Sequence, residues 1–428
     1  MRVAFCTLGC KVNQYDTDAM RALFVKAGHE VVDFEQKADV YVVNTCTVTS
    51  VGDKKSRQMV SRAHARNPEA AIVVAGCFAQ GAPGEAASLP GVAALAGTAE
   101  RADIVRIAED ALAGVRRTEV RAYRGRAAFE ELDVSREGRT RAYLKIQDGC
   151  DRYCAYCIIP YVRGPVRSRT LEDVRRQLEL LEAEGYKEIV LTGIHLMSYG
   201  KDLSGAALLD AVAQADGLPG IRRIRLGSLE PQMFSEEFVR ALADDPRACR
   251  QFHLSLQSGS AGVLARMGRR YGPQEYAACV RMLREAMPES AVTTDVIVGF
   301  PGETDAEFEE TLAFARRVAL SRIHVFPFSA RKGTRAYDMP DQVGAEVKKE
   351  RAARLLALGK ELEAEFAQGH VGRVEEVLFE ERKGAYLLGH TGTYVAARVK
   401  TEAALEGEIA KIKIVLARGN ALEGEIMY

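Results

Sequence analysis

Short apolar runs alternate with stretches of helical periodicity along the first 115 residues. The runs cover 3–5, 40–44, 71–76 and, more weakly, 92–97, while apolar positions recur near every 3.6 residues over 14–27, 52–66 and 103–113. This alternation predicts a domain of α/β class built on a parallel sheet. Residues 116–141 break the pattern and carry Arg116, Arg117, Arg121, Arg124, Arg126, Arg136, Arg139 and Arg141, which reads as a basic linker. From 142 the alternation restarts, with strand-like runs at 143–147, 188–194, 223–229, 252–257, 293–300 and 322–328. Helices are predicted after them at 171–184, 205–215, 235–244, 274–286, 304–318 and 342–366. Six such units joined by right-handed crossovers predict an incomplete (β/α)6 barrel of TIM type, with working residues where strands end and loops begin. From 367 onward, short β segments interrupted by Gly384, Gly389, Gly392, Gly407 and Gly419 predict a small all-β module. The expected organisation is 1–115, a linker at 116–141, a barrel at 142–366 and a β module at 367–428.

Composition narrows the class without deciding the chemistry. With 47% apolar and 28% charged residues and no apolar run long enough to span a bilayer, disordered, fibrous and integral-membrane readings are excluded. The opening MRVAFCTLGC runs into a strand with no secretory pattern, so a cytoplasmic location is expected. Lys and Arg number 59 against 59 Asp and Glu, so a nucleic-acid partner would have to be held by a local basic surface. Nine cysteines in a chain that needs no disulfide staples point to metal, catalysis or burial.

Two groups of cysteines carry the chemical signal. Cys150, Cys154 and Cys157 form C-x3-C-x2-C directly after the first barrel strand. Three thiolates on one loop can hold three irons of a cubane cluster and leave the fourth open to a small molecule. A zinc loop would need a fourth ligand, and no neighbouring Cys or His supplies one. Cys10, Cys46 and Cys77 each follow an apolar run of the first domain, and carboxyl ends of parallel strands share one edge of a sheet, so these three can also converge. Gly9 and Gly76 would let the backbone turn closely around an inorganic group. Cys6, Cys249 and Cys279 lack such partners and are assigned to packing. A second cluster with a vacant iron could carry an extra sulfur atom.

The C-x3-C-x2-C loop with Tyr156 before its last cysteine resembles the radical S-adenosylmethionine superfamily. The whole chain is similar to its methylthiotransferases, through TLGCKVNQYD, NTCTVT, AGCFAQ, QDGCDRYCAYCIIPYVRGPVRSR, HLSLQSGS, DVIVGFPGET and a terminal β-barrel of TRAM type. The resemblance implies a [4Fe-4S] cluster on each cysteine trio and S-adenosylmethionine as methyl donor and radical source. It implies cofactor contacts for Tyr156 at the adenine, Gly193 near the methionine amino group, and Glu230, Gln257 and Asp295 near ribose or methionine; ordinary loop fixing by these polar groups is the alternative. Asn13 and Asp16 match the family motif and are expected to order the sulfur site or touch substrate, with helix capping the alternative for Asp16. The branch that TLGCKVNQYD and HLSLQSGS most resemble acts on C2 of N6-threonylcarbamoyladenosine beside the tRNA anticodon. Sister branches act on isopentenyladenosine in tRNA or on a ribosomal-protein aspartate.

Residues 116–169 hold thirteen Lys and Arg against seven Asp and Glu. Arg163, Arg167, Arg169, Arg269 and Arg270, with Arg266, are therefore expected to contact RNA phosphates, and Tyr161 and Phe328 to stack on a splayed base. The β module, with eight basic against nine acidic residues, gives no such signal. His195, His253 and His324 near strand ends are assigned no role, and Gly299 in VGFPGET lacks the spacing of a phosphate loop. The expected partners are a tRNA anticodon stem-loop, a reductase or flavodoxin-type electron donor and a sulfur donor, with no membrane. A structural iron–sulfur protein, and an enzyme whose N-terminal cluster only relays electrons, are the competing readings.

Overall fold

A computed structural model describes residues 1–123, 128–133 and 140–427; Arg124, Arg126, Arg136 and Arg139 of the expected linker lie outside them. The N-terminal sheet is parallel throughout and comprises β1 (Arg2–Thr7), β2 (Glu30–Val32), β3 (Val40–Thr45), β4 (Ala71–Gly76), β5 (Val92–Ala96) and β6 (Arg117–Glu119), in the order β2-β1-β3-β4-β5-β6. β3 and β4 are buried at every position, as strands covered on both faces must be, which explains their unbroken apolar runs. The strand order reverses between β1 and β3, and open α/β sheets form a crevice beyond the carboxyl ends at that point. β2 and β6 are short and partly exposed, so neither has an apolar run to announce it. β6 draws the start of the expected linker into the sheet by pairing with β5.

The second region consists of β7 (Arg141–Asp148), β8 (Arg167–Ser168), β9 (Glu188–Gly193), β10 (Arg223–Leu226), β11 (Ser228–Leu229), β12 (Gln251–Leu254), β13 (Ala291–Val298) and β14 (Arg322–Pro327). They form two sheets, β10-β9-β7-β8 and β11-β12-β13-β14, joined where one run breaks at Gly227 into β10 and β11. All pairings are parallel except that of β8, which folds back antiparallel on β7. The result is the expected partial barrel. Its outer face meets the helices in one continuous core that also takes Tyr15 and Ala19 of the N-terminal helix Lys11–Lys26. The two regions therefore share apolar packing.

The C-terminal strands β15 (Val374–Lys383), β16 (Tyr386–Thr391), β17 (Ala396–Lys400), β18 (Ile409–Arg418) and β19 (Ala421–Ile426) close into a five-stranded barrel. It packs against the amino ends of the parallel strands. Arg141, Glu188 and Arg223, the first residues of β7, β9 and β10, form an ion cluster with Arg225 that reaches Glu380, His390 and Gly392. The small barrel thus plugs the floor and leaves the carboxyl ends clear. No helix among the described residues is long and apolar enough to cross a membrane.

Candidate functional site

The first cysteine trio stands on the crevice. Thr45 and Gly76 are register partners at the ends of β3 and β4, so Cys46 and Cys77 leave adjacent strands side by side. Leu8 N donates to Asn44 O at 2.9 Å, which brings the β1 end with Cys10 alongside. Gly9 has φ +102°, and a Cβ there would lie 2.9 Å from Cys46 Cβ and 3.1 Å from its Sγ. Only glycine fits that approach. Burial pushes the Cys46 thiol up to about 11, and the neighbouring Cys77 and Cys10 push in the same direction; burial raises Cys77 as well. Cys46 and Cys77 thus stand side by side at the sheet edge, with Cys10 exposed beside them.

The second trio lies on the loop after β7 and is held mostly by backbone. Cys150 N donates to Gly164 O at 3.0 Å, Ala155 N to Met267 O at 2.8 Å, and Ala336 N to Ala155 O at 2.8 Å. Burial raises Cys150 to about 11 and Cys157 to about 12, and the thiols of the trio add to both shifts. Arg269 Nη1 donates to Cys154 Sγ at 3.2 Å. Both donor sets suit soft iron, with three thiols each.

Between the trios lies a buried ion network. Arg163, six residues after Cys157 and only 1% exposed, donates to Asp148 at 3.0 and 3.1 Å, to Asp16 at 3.1 Å and to Asn13 Oδ1, and its charge favours the Cys77 thiolate against burial. Lys145 and Arg101 also pair with both Asp16 and Asp148. Burial alone would raise the two carboxyls, but the surrounding cations outweigh it and hold Asp16 below and Asp148 well below the usual carboxylate range. Asp16 sits inside its helix and belongs to this network; it does not cap. Asn13 Nδ2 donates to Leu8 O at 2.7 Å and Thr45 O at 2.9 Å, fixing the strand ends beside Cys10 and Cys46. This seam was not anticipated from sequence, because its members are scattered from residue 13 to residue 163.

The expected phosphate contacts need correction. Arg163, Arg167 and Arg169 are buried: Arg167 donates to the carbonyls of Arg163 and Pro165, and Arg169 pairs with Asp173 and reaches Lys145 O at 3.0 Å. Arg269 is spent on Glu230, Tyr271 and Cys154, and Arg266 on Glu307. Burying an arginine requires acidic or carbonyl partners, so the buried members of this set build the interior. Arg270 is exposed. Of the two aromatics, Phe328 is buried against Phe300, whereas Tyr161 is half exposed and meets the equally exposed Tyr153 edge-on at 5.5 Å.

Of the residues expected at the cofactor, Tyr156, Gly193, Glu230 and Gln257 lie at or just past the carboxyl ends of strands, whereas Asp295 lies within β13. Gln147 ties this rim together, donating to the carbonyls of Asp148 and Gly149 at 2.7 Å each and accepting from His195 N at 2.7 Å. Gly193 lies against it, where a Cβ would come within 2.8 Å of Gln147 Oε1. Both Glu230 oxygens are engaged, by Arg269 at 2.8 Å, Arg152 at 2.9 Å and His195 at 2.9 Å. Burial would raise this carboxyl, but the His195 hydrogen bond and the two arginines bring it down to about 2. Gln257 has φ +71° and pairs by backbone with Asp295 and Ile297. Tyr156 packs edge-on to Phe300.

A partial parallel barrel with a three-cysteine loop beyond its first strand defines a radical S-adenosylmethionine protein, and residues 144–315 match the Radical SAM superfamily model. Residues 2–97 match the model described as Uncharacterized protein family UPF0004. The chain is 43% identical to the threonylcarbamoyladenosine tRNA methylthiotransferase MtaB of Bacillus subtilis, over 99% of this chain and 96% of that one. It is 40% identical to the Aquifex aeolicus protein of the same name, over 90% and 94%. It is 34% identical to the tRNA-2-methylthio-N(6)-dimethylallyladenosine synthase of Aquifex aeolicus, over 98% and 97%. Among solved structures, the radical S-adenosylmethionine methyltransferase TsrM from Kitasatospora setae shares the fold, with TM-score 0.59 at 15% identity over 78% of this chain and 74% of that one. The chain belongs to the radical S-adenosylmethionine methylthiotransferase family, and with it to enzymes that use S-adenosylmethionine and [4Fe-4S] clusters.

Proposed function

We propose that this enzyme exchanges the C2 hydrogen of N6-threonylcarbamoyladenosine, next to the tRNA anticodon, for a methylthio group. The observation that carries the reading is the higher identity to the threonylcarbamoyladenosine enzymes, 43% against 34% for the dimethylallyladenosine enzyme, at nearly full coverage of both chains.

In this reading Cys150, Cys154 and Cys157 hold one [4Fe-4S] cluster and Cys10, Cys46 and Cys77 hold the other. When bound, the clusters supply the electron that cleaves S-adenosylmethionine and the iron site that carries sulfur. The chain's own side chains set the geometry. Gln147 and Gly193 shape the rim beside the loop trio, Tyr156 flanks it, Gln257 follows β12, and Asp295 faces the lumen from within β13. Glu230 acts as a positioning residue, locking Arg152 and Arg269 against the loop. Arg163 fixes the distance between the trios, because a buried network with this many partners has one low-energy arrangement. For RNA, the exposed pair Tyr153 and Tyr161 offers a stacking surface beside the loop, with Arg270 the exposed cation among those expected. A flavodoxin-type reductant and a separate sulfur donor complete the cycle.

The test is mass spectrometry of tRNA nucleosides from cells lacking this protein. The reading requires loss of 2-methylthio-N6-threonylcarbamoyladenosine, with its unthiolated parent accumulating. Persistence of that nucleoside together with loss of the methylthio-dimethylallyl derivative would move the assignment to the sister branch.

A further inference from the structure

The barrel lumen holds a second kind of ligand cluster, made of none of the six cysteines of the two trios. His253 on β12, Asp295 on β13 and His324 on β14 stand on three successive strands. Asp295 is the register partner of His324, and His253 is the partner of Thr293, the next residue along the same face of β13. Val292, Val296 and Val298 on β13 belong to the outer core, so the alternate residues Thr293, Asp295 and Ile297 face the lumen. One donor atom from each of the three side chains lies within 4.8 Å of the other two. His253 Nε2 is 3.4 Å from Asp295 Oδ2, and the two imidazole rings are 5.9 Å apart, tilted by 41°.

Three further features fit a ligand set better than an ordinary ion pair. All three side chains are half-buried, so a solute can reach them. Among the described residues, Asp295 has no Lys or Arg partner; its recorded ion pair is with His253 alone. Thr293 Oγ1 lies 3.0 Å from His253 Nδ1, which fixes the ring and turns Nε2 toward Asp295, as groups behind a metal-binding histidine do.

We propose that His253, Asp295 and His324 form a third metal site, for a divalent first-row cation. Two imidazoles and one carboxylate are a donor set for such ions and leave coordination positions open. Those positions face the lumen and would take oxygen donors. Resting on the proposed function, the carboxylate and urea oxygens of the threonylcarbamoyl group are donors of that kind; the metal assignment itself does not depend on the substrate.

The probe is Mn(II) added to cluster-loaded enzyme under argon without RNA, read by electron paramagnetic resonance, where oxidised [4Fe-4S] clusters are silent and free Mn(II) gives six lines. The signal of the free ion should fall with a stoichiometry of one per chain. Asp295→Asn and His324→Gln should each weaken uptake by at least about tenfold, with iron content and cluster absorbance unchanged as the control for folding. Cys10→Ala should leave Mn(II) uptake unaltered. Unchanged uptake in both lumen variants would overturn the proposal. So would an Asp295→Asn enzyme that binds S-adenosylmethionine more weakly but takes up Mn(II) as before, since Asp295 would then serve the cofactor. Neither result bears on which nucleoside is modified, which the tRNA measurement decides separately.

Discussion

The two cysteine trios reach similar donor sets by opposite routes. Cys150, Cys154 and Cys157 lie within eight residues on one loop, pinned by a few backbone hydrogen bonds. Cys10, Cys46 and Cys77 are 36 and 31 residues apart and meet only because β1, β3 and β4 are neighbours in register. The loop trio is thus a local property of the chain, whereas the sheet-edge trio is a property of the folded domain. Metal bound at the sheet-edge trio should be coupled more tightly to folding.

The largest effects come from removing either trio. Replacing Cys150, Cys154 and Cys157 by Ala should abolish both 5′-deoxyadenosine release and methylthio product. Replacing Cys10, Cys46 and Cys77 should leave S-adenosylmethionine cleavage in place and remove the product, as chromatography of both species would show; product made at a merely reduced rate with a chemical reductant would favour the electron-relay reading. Next comes the seam. Arg163→Ala removes one of the three cations shared by Asp16 and Asp148, leaving Lys145 and Arg101, and should cost up to about 3–5 kcal/mol in denaturant unfolding, with product lost more completely than cofactor cleavage. Gly9→Ala should act on one trio only. The strain at its positive φ and the crowding of Cys46 should cost about 1–3 kcal/mol and lower iron retention at the sheet edge while sparing the loop.

The smallest expected effect is on acid stability. Glu230 has its folded pKa depressed to about 2 from the usual 4.5, so its stabilising contribution is complete above the unfolded value and is lost as pH falls through that window. Glu230→Gln should flatten the acid limb of unfolding between those limits. An unchanged limb would show that the carboxylate does not hold Arg152 and Arg269 as described.

Much of this was legible in the chain because the decisive features are periodic or local. The buried parallel strands announce themselves as apolar runs, and C-x3-C-x2-C is visible as a spacing. The last strand of the small barrel, β19, is faint in the sequence because ALEGEI carries two glutamates and a glycine and shows only weak alternation. The arginines were misjudged for a physical reason: a dense set of basic residues resembles a phosphate-binding surface until the acids that pair with them are known. Asp16 and Asp148 lie 132 residues apart, and nothing in the linear order shows that Arg163 bridges them. The lumen histidines were discounted one at a time, and only strand register brings His253, Asp295 and His324 together.

The account rests on two separate clusters, one for each trio, and iron analysis after anaerobic reconstitution tests it most directly. The native chain should carry about 8 irons and each triple-alanine variant about 4. A Cys10, Cys46, Cys77 variant that keeps the full iron complement would contradict it.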